Sequence, residues 1–276
     1  MPGVQLKRTG NRVEGDDGIR PDRAMKFCLL ASGSRGNCLW LEESDVAVVV
    51  DCGLPAREFL RRAVSAGLDP SRLAALLISH EHRDHLSGVG PLARRLKLPV
   101  LANQPTRNLA EAVTGPLKWE TFTTGDTLTF GLLKIRTLPI SHDAADPVAF
   151  LAESPAGRLG LVTDLGAATE LLRRKFLGLD ALVLEFNHDY RLLMDGPYPW
   201  PLKQRIRSRT GHLANEEAAA LVGDLNHAGL KHLILAHLSE TNNRPDLALA
   251  AVRKVIGEAL EPVVASQQEA SRVFEF

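Results

Sequence analysis

Short, uninterrupted apolar runs recur along the chain, and most are closed by a polar or ionisable residue. Residues 46–50 (Val-Ala-Val-Val-Val) stop at Asp51, residues 74–79 lead into His80, residues 159–163 into Asp164, and residues 232–236 into His237. Runs of this length without alternation predict strands buried on both faces. Further strands are predicted at 26–31, 38–42, 99–102, 132–140 and 181–184, with short ones near 262–265 and 272–276. Between them, apolar residues at helical spacing predict helices. Phe59, Leu60 and Val64 mark 55–66, which Gly67 stops, and further helices fall at 86–96, 215–225 and 245–260. Strand-rich stretches and α/β units therefore occur twice, over 25–115 and 118–260. This order predicts an α/β protein with two sheets face to face and helices outside, a four-layer αββα sandwich.

Residues 1–24 break the pattern, with four glycines, nine charged residues and few large apolar ones. Such a segment cannot bury enough apolar surface to offset its ordering entropy, so a disordered leader is predicted there, with Met25 read as the natural start. Residues 25–276 are read as a single domain. Net charge is zero, so attraction to nucleic acid or membrane has to come from a local patch. No apolar run reaches the ~20 residues that span a bilayer. Cys28, Cys38 and Cys52 are too few for a disulfide framework. A cytoplasmic location without membrane association is the expectation.

The strongest chemical signal is Ser79-His80-Glu81-His82-Arg83-Asp84-His85, between a buried strand and a helix. Imidazoles and carboxylates so crowded repel or desolvate one another unless a cation binds them. As N and O donors they suit Zn²⁺ or Mn²⁺, with Fe also possible. In an extended loop His80 and His82 point the same way. Asp84 and His85 then turn towards a neighbouring position, so one loop can serve two adjacent ions. Remaining ligands are expected at other strand ends, where His142, Asp164 and His237 lie. Each alone reads as an ordinary loop residue; together, after three buried strands, they read as ligands.

The H-x-H-x-D-H loop, followed by an isolated His, an Asp and a last His at strand ends, resembles the metallo-β-lactamase superfamily. Further segments are similar to one branch, the YycJ (WalJ) group of DNA-processing hydrolases. These are Leu30-Ala31-Ser32-Gly33-Ser34-Arg35-Gly36-Asn37, Val50-Asp51-Cys52-Gly53 and Glu185-Phe186-Asn187-His188-Asp189. Tyr198-Pro199-Trp200-Pro201-Leu202-Lys203, Gly211-His212-Leu213 and His237-Leu238-Ser239-Glu240-Thr241-Asn242-Asn243 complete the set. The resemblance covers about residues 25–276. It implies the metallo-β-lactamase fold. It also implies one metal on His80, His82 and His142, a second on Asp84, His85 and His237, and Asp164 bridging. Asp51 would stand behind the His loop and hold it in place. Ala214 and Leu165 depart from the pattern, where Ser, and Thr or Ser, are expected; neither is a ligand.

Two ions ~3.5–4 Å apart can share and activate one water, which Asp84 would orient. His212 is the candidate for the general acid or a phosphate clamp; on local sequence alone it reads as a cap for the helix that follows. His188 reads equally as a supporting loop histidine or a substrate contact. Lys203, Arg205, Arg207 and Arg209 lie close together beside Trp200 and Tyr198. This is either a solvated helix face or a surface that binds phosphates and stacks bases. The resemblance implies a two-metal phosphodiesterase on DNA, an exonuclease trimming from the 5′ end. RNA or a small cyclic phosphodiester is the alternative substrate. A thioester or β-lactam hydrolase fits less well with the basic run, and a redox di-iron protein is disfavoured by His82, where a carboxylate would be expected. A non-catalytic nucleic-acid-binding module has no need of seven metal ligands.

Overall fold

The structure is a computed structural model, and it describes residues 5–7, 24–257 and 260–276. Within the predicted leader, β1 (Gln5–Lys7) pairs antiparallel with β8; the remainder of the predicted leader, apart from residue 24, lies outside the described residues. The chain then runs β2 (Met25–Ala31), β3 (Cys38–Glu43), β4 (Val46–Val50), α1 (Ala56–Ser65), β5 (Leu73–Leu77), α2 (Arg83–Leu86), α3 (Val89–Leu96), β6 (Val100–Asn103), α4 (Gln104–Thr114) and β7 (Trp119–Phe122). Next come β8 (Thr127–Phe130), β9 (Leu133–Pro139), β10 (Val148–Ser154), β11 (Gly157–Val162), α5 (Glu170–Lys175), β12 (Ala181–Glu185), α6 (Tyr190–Asp195) and α7 (Trp200–Ile206). The last elements are α8 (Asn215–Leu225), β13 (His232–Ala236), α9 (Pro245–Ile256), β14 (Val263–Val264) and β15 (Phe274–Glu275).

Two sheets result, ordered β15-β2-β3-β4-β5-β6-β7 and β1-β8-β9-β10-β11-β12-β13-β14. The unbroken apolar runs are strands buried on both faces. In β4, Val48 and Val50 face the opposite sheet while Ala47 and Val49 face helices. In β12, Ala181 and Val183 face inward while Leu182 and Leu184 meet the helices of the second half. Three apolar layers follow, one between the sheets and one on each outer face, which is the αββα sandwich. Each fully buried Leu or Phe in these layers contributes about 1.5–3 kcal/mol over leaving it exposed.

Four local expectations are corrected. The helix predicted at 86–96 starts earlier, at Arg83, and breaks at Ser87–Gly88. Gly88 packs so close to the backbone of Leu54 that a Cβ there would lie 1.7 Å from its carbonyl oxygen. The helix α4 was not predicted, because its Leu109 and Val113 face solvent and blur the apolar stripe. The short helices α5, α6 and α7 carry too few turns to show a period; Thr169 and Asp189 cap the first two. The division between the halves falls after Phe122 instead of near 115, since β7 pairs with β6, and the C-terminal β15 returns to β2.

β4 and β5 are parallel, as are β11, β12 and β13, so their C-terminal ends gather along one rim, the usual position for a site in such sheets. Among the described residues no helix is long and apolar enough to cross a membrane.

At the start of α8, Ala214 occupies the N-cap with extended backbone, and Glu217 accepts from its N–H, but no side-chain oxygen caps the helix. Ala214→Ser should supply that acceptor and raise stability by about 1 kcal/mol, read as a higher urea midpoint with an unchanged slope.

Candidate metal centre

The rim gathers every predicted ligand. The loop after β5 and the first turn of α2 bring His80, His82, Asp84 and His85; His142 follows β9, Asp164 follows β11, and His237 follows β13. His80, His85, His142, Asp164 and His237 are all buried. Asp164 and His237 have positive φ, 58° and 53°, and so does Asp51 at the end of β4, at 56°. Left-handed backbone costs a non-glycine residue about 1–2 kcal/mol. At these three strand ends it turns the chain sharply off the sheet while keeping the side chain in the seam.

Donor atoms converge in two adjoining groups. His80, His82 and His142 each place a nitrogen within 4.8 Å of the others, and His82 Nδ1 lies 3.3 Å from His142 Nε2. Beside them, Asp84 Oδ2 lies 3.4 Å from His85 Nε2 and 3.6 Å from His237 Nε2. Asp164 faces both groups, with Oδ1 3.8 Å from His142 Nε2 and Oδ2 3.1 Å from His85 Nε2. Two buried atoms here make no aligned hydrogen bond: His80 Nε2, and Asp164 Oδ2 although it lies 3.1 Å from His85 Nε2 and 3.2 Å from His237 Nδ1. Leaving buried polar atoms unpaired costs about 1–3 kcal/mol each. Convergent nitrogen and carboxylate donors with orphaned atoms at their focus fit a pair of divalent cations.

The nitrogens facing away from the focus are held, which selects the tautomer that presents the other nitrogen. Asp51 accepts from His85 Nδ1 at 2.8 Å and from Ser79 Oγ at 2.6 Å. Ser79 Oγ in turn lies 2.9 Å from His80 Nδ1. His142 Nδ1 donates to the Gly211 carbonyl at 3.1 Å, and His237 Nδ1 to Glu185 at 3.1 Å. Glu185 was overlooked as a functional residue in the sequence, although it closes the apolar run 181–184 as Asp51 closes 46–50. It is fully buried and also accepts from His212 Nδ1 at 2.9 Å and from the backbone N–H of Asp164 and Leu213 at 2.9 and 2.8 Å.

These contacts set the protonation of the metal-free cluster. Burial alone would push the Glu185 carboxyl up, but His212 and His237 outweigh it and pull it down to about 2. Burial opposes charge on His85 and His237 too, yet the Asp164 carboxylate raises both, helped by Asp84. His80 is lowered, by burial and by the neighbouring His85. His212 is raised because Glu185 overcomes its burial.

A cleft of about 240 Å³ opens onto this cluster, bordered by Ser34, Tyr198, Leu202, Arg205 and His212. His212 reaches it through a tight turn in which a Cβ on Gly211 would meet the Ile206 carbonyl oxygen at 2.1 Å. It is not the cap of α8, which is Ala214. The basic run divides. Arg205 borders the cleft, whereas Lys203 is buried and donates from Nζ to the Met194 carbonyl at 2.6 Å, which corrects its reading as a substrate contact. The Arg207 guanidinium lies 4.7 Å over the Tyr190 ring, away from the cleft lining. Trp200 is exposed nearby but also outside that lining. His188 is corrected likewise: it is buried, burial lowers it to about 4, and it does not line the cleft.

Comparison with known proteins follows the same lines. The family model described as the beta-lactamase superfamily domain matches residues 47–238. The chain is 38% identical over 237 residues to the exodeoxyribonuclease YycJ of Bacillus anthracis, covering 85% of this chain and 90% of that protein. It is 36% identical over 229 residues to the exodeoxyribonuclease WalJ of Streptococcus pneumoniae serotype 2 strain D39, covering 81% of this chain and 85% of that protein. Among solved structures, the metallo-beta-lactamase fold protein YhfI from Bacillus subtilis superposes with a TM-score of 0.71 at 19% identity, over 92% of this chain and all of that one (100%), a likeness of fold.

Glu185 gives a pH prediction. Its carboxyl is lowered on folding, so its contribution is full above the unfolded value of ~4.3 and is lost as pH falls towards about 2. In metal-stripped protein, urea stability should fall across that window. Glu185→Gln should be less stable at pH 7 and show a flatter dependence over the same window; parallel curves would contradict the role given to Glu185.

Proposed function

The chain belongs to the beta-lactamase superfamily domain family, and from that premise we propose that it is a metal-dependent phosphodiesterase that removes nucleotides from the end of a DNA strand. One observation carries the proposal. The seven-residue donor cluster and an imidazole buttressed by a buried carboxylate, His212 on Glu185, border the same cleft.

When bound, two divalent cations supply neutralisation of phosphoryl charge and a water that ionises near neutral pH. Zn²⁺ and Mn²⁺ both suit the nitrogen and carboxylate donors, and Fe is compatible. Asp84 projects Oδ2 towards His85 and His237, and its other oxygen would orient the attacking water. His212 donates Nδ1–H to Glu185, so its Nε2–H is free to face the leaving oxygen. Because Glu185 overcomes its burial and raises its proton affinity, His212 is the group suited to pass that proton to the departing alkoxide. Asp51 and Glu185 keep the imidazoles in register while charge develops. Arg205, exposed at the mouth, is the cation best placed to meet a phosphate. A 5′ to 3′ direction is what the resemblance in the sequence implies, and it is part of this proposal. The small cleft also favours a second reading, a small cyclic phosphodiester or an RNA end, since it does not enclose a duplex. Three buried free thiols, Cys28, Cys38 and Cys52, suit a reducing cytoplasm.

End-labelled linear DNA, single- and double-stranded, tests the reading with Mn²⁺ or Zn²⁺ restored to stripped protein. Mononucleotides should be released progressively from one end. His80→Ala should abolish release, and His212→Asn should lower kcat by about 10²–10⁴ with a smaller change in KM. Turnover of bis(p-nitrophenyl) phosphate without any cleavage of DNA would move the substrate to the second reading.

A further inference from the structure

One of the five histidines in the donor cluster is not like the others. His80, His85, His142 and His237 each have the nitrogen that faces away from the cluster held by an oxygen within 3.1 Å. His82 does not. Its Nδ1 faces His142, and the nearest acidic group to its Nε2 is Oδ1 of Asp143, at 4.0 Å. That is beyond hydrogen-bond reach, whereas the other four imidazoles are held at 2.8 to 3.1 Å.

Asp143 is held off by a competitor. Its Oδ2 accepts from Nε of Arg205, and this ion pair spans the cleft mouth, because both residues border it. The Arg205 side chain is 61% exposed, and Asp143 is the carboxylate paired with it. The backbone around Asp143 is pinned on both sides. Ser141 Oγ donates to the Arg209 carbonyl at 2.6 Å, Ala145 N–H to Glu81 at 2.8 Å, and Asn103 to the Asp146 carbonyl at 2.6 Å. Movement at this position is therefore a side-chain rotation among fixed neighbours: the guanidinium on Oδ2, and on the Oδ1 side His142 Nε2 at 3.4 Å and His82 Nε2 at 4.0 Å.

We propose that Arg205 and Asp143 form an exchange pair: a phosphate monoester or diester entering the cleft takes the guanidinium, and the released carboxylate closes onto the Nε2–H of His82. The proposal rests on the phosphodiester reading above for its ligand class. Phosphate suits the exchange. A guanidinium fork binds a phosphate through two parallel hydrogen bonds, whereas here only Nε engages the carboxylate. The incoming anion takes the place of the carboxylate on Arg205, so the guanidinium keeps an anionic partner. The freed carboxylate then orients His82 and strengthens its donor nitrogen, as Asp51 does for His85. Substrate in the cleft thereby tightens the cluster's hold on its cations, and an empty cleft leaves His82 as the loosest ligand. The coupling exists only to the extent that phosphate binds the two arrangements differently, which makes it measurable.

The test uses the full chain loaded with Co²⁺, with thymidine 5′-monophosphate as the phosphate probe. Cobalt retention is read by chelator competition and by the visible absorption of the bound ion, and probe binding by calorimetry. In the unaltered protein the probe should raise retention of one of the two Co²⁺ ions about tenfold. Asp143→Asn should bind the probe several-fold more tightly, because Arg205 is already free, and its cobalt retention should no longer respond. Arg205→Ala should bind the probe about tenfold more weakly and retain cobalt at the probe-bound level without it, and Arg205→Lys should fall between. A probe response in Asp143→Asn equal to that of the unaltered protein would overturn the exchange, because direct contact of the probe with metal would then explain it. Unchanged probe affinity in Arg205→Ala would overturn it too. Neither readout uses DNA cleavage. A protein that fails to cut DNA but shows these responses loses the exonuclease reading alone, and one that cuts DNA without them loses the exchange alone.

Discussion

Two carboxylates lie buried beneath a cluster of imidazoles, and the site depends on how their charge is shared. An isolated carboxylate in a protein interior would be neutralised by protonation. Asp51 and Glu185 are each surrounded by hydrogen-bond donors. Asp51 meets Ser79 through both its N–H and Oγ, and His85 through Nδ1. Glu185 meets two imidazoles and the backbone of Asp164, Leu165 and Leu213. The partition is by sheet: Asp51 stands at the end of β4 in the first sheet and Glu185 at the end of β12 in the second. Each sheet therefore brings its own buttress, and the donors they hold meet in the seam. Removing either carboxylate leaves imidazoles free to flip and N–H groups unpaired, a cost that falls on folding and metal binding together.

The same division explains the strained backbone. Strands buried on both faces have no side chain to spare for chemistry along their length, so chemistry is confined to their ends. At an end, a residue must leave the sheet at once if its side chain is to stay over the seam. Asp51, Asp164 and His237 do this with left-handed backbone. Aspartate tolerates that conformation fairly well and histidine less so. Their strain is offset locally: Asp51 Oδ1 accepts from Ser79 N–H, Glu185 accepts from Asp164 N–H, and Ser32 Oγ accepts from His237 N–H at 2.7 Å.

This arrangement is also why so much of the site could be read from the chain. An ionisable residue that ends a long apolar run is conspicuous, and His80, Asp164 and His237 all announce themselves that way. Glu185 carries the same signal, but its partners come from residues 164, 212 and 237, which only the fold assembles. The basic run failed differently. Read linearly, Lys203, Arg205 and Arg207 look equivalent, but a helix turns them to different sides. Lys203 points into the protein towards Met194, Arg205 into the cleft, and Arg207 onto Tyr190. The missed α4 and the short α6 and α7 have the same origin, since a helix with exposed leucines or fewer than two turns leaves little period to detect.

What remains is how the two levels of the site communicate. The donor residues rest on the sheets, whose register is rigid, whereas the segment from Tyr198 to His212 borders the cleft beside them. That segment touches the donors at three points: Gly211 takes the back nitrogen of His142, His212 shares Glu185 with His237, and Arg205 holds Asp143 beside His82. The first two contacts are short, largely buried, and fixed by the tight turn at Gly211, so they transmit position and little else. The third is an ion pair at a solvated mouth, where median energies are about 0–1 kcal/mol and a competing anion can break it. A link that weak contributes little to stability. Its placement between a guanidinium bordering the cleft and the one imidazole of the donor cluster lacking a close brace makes it, in the proposed exchange, the contact through which occupancy of the cleft reaches the donor cluster.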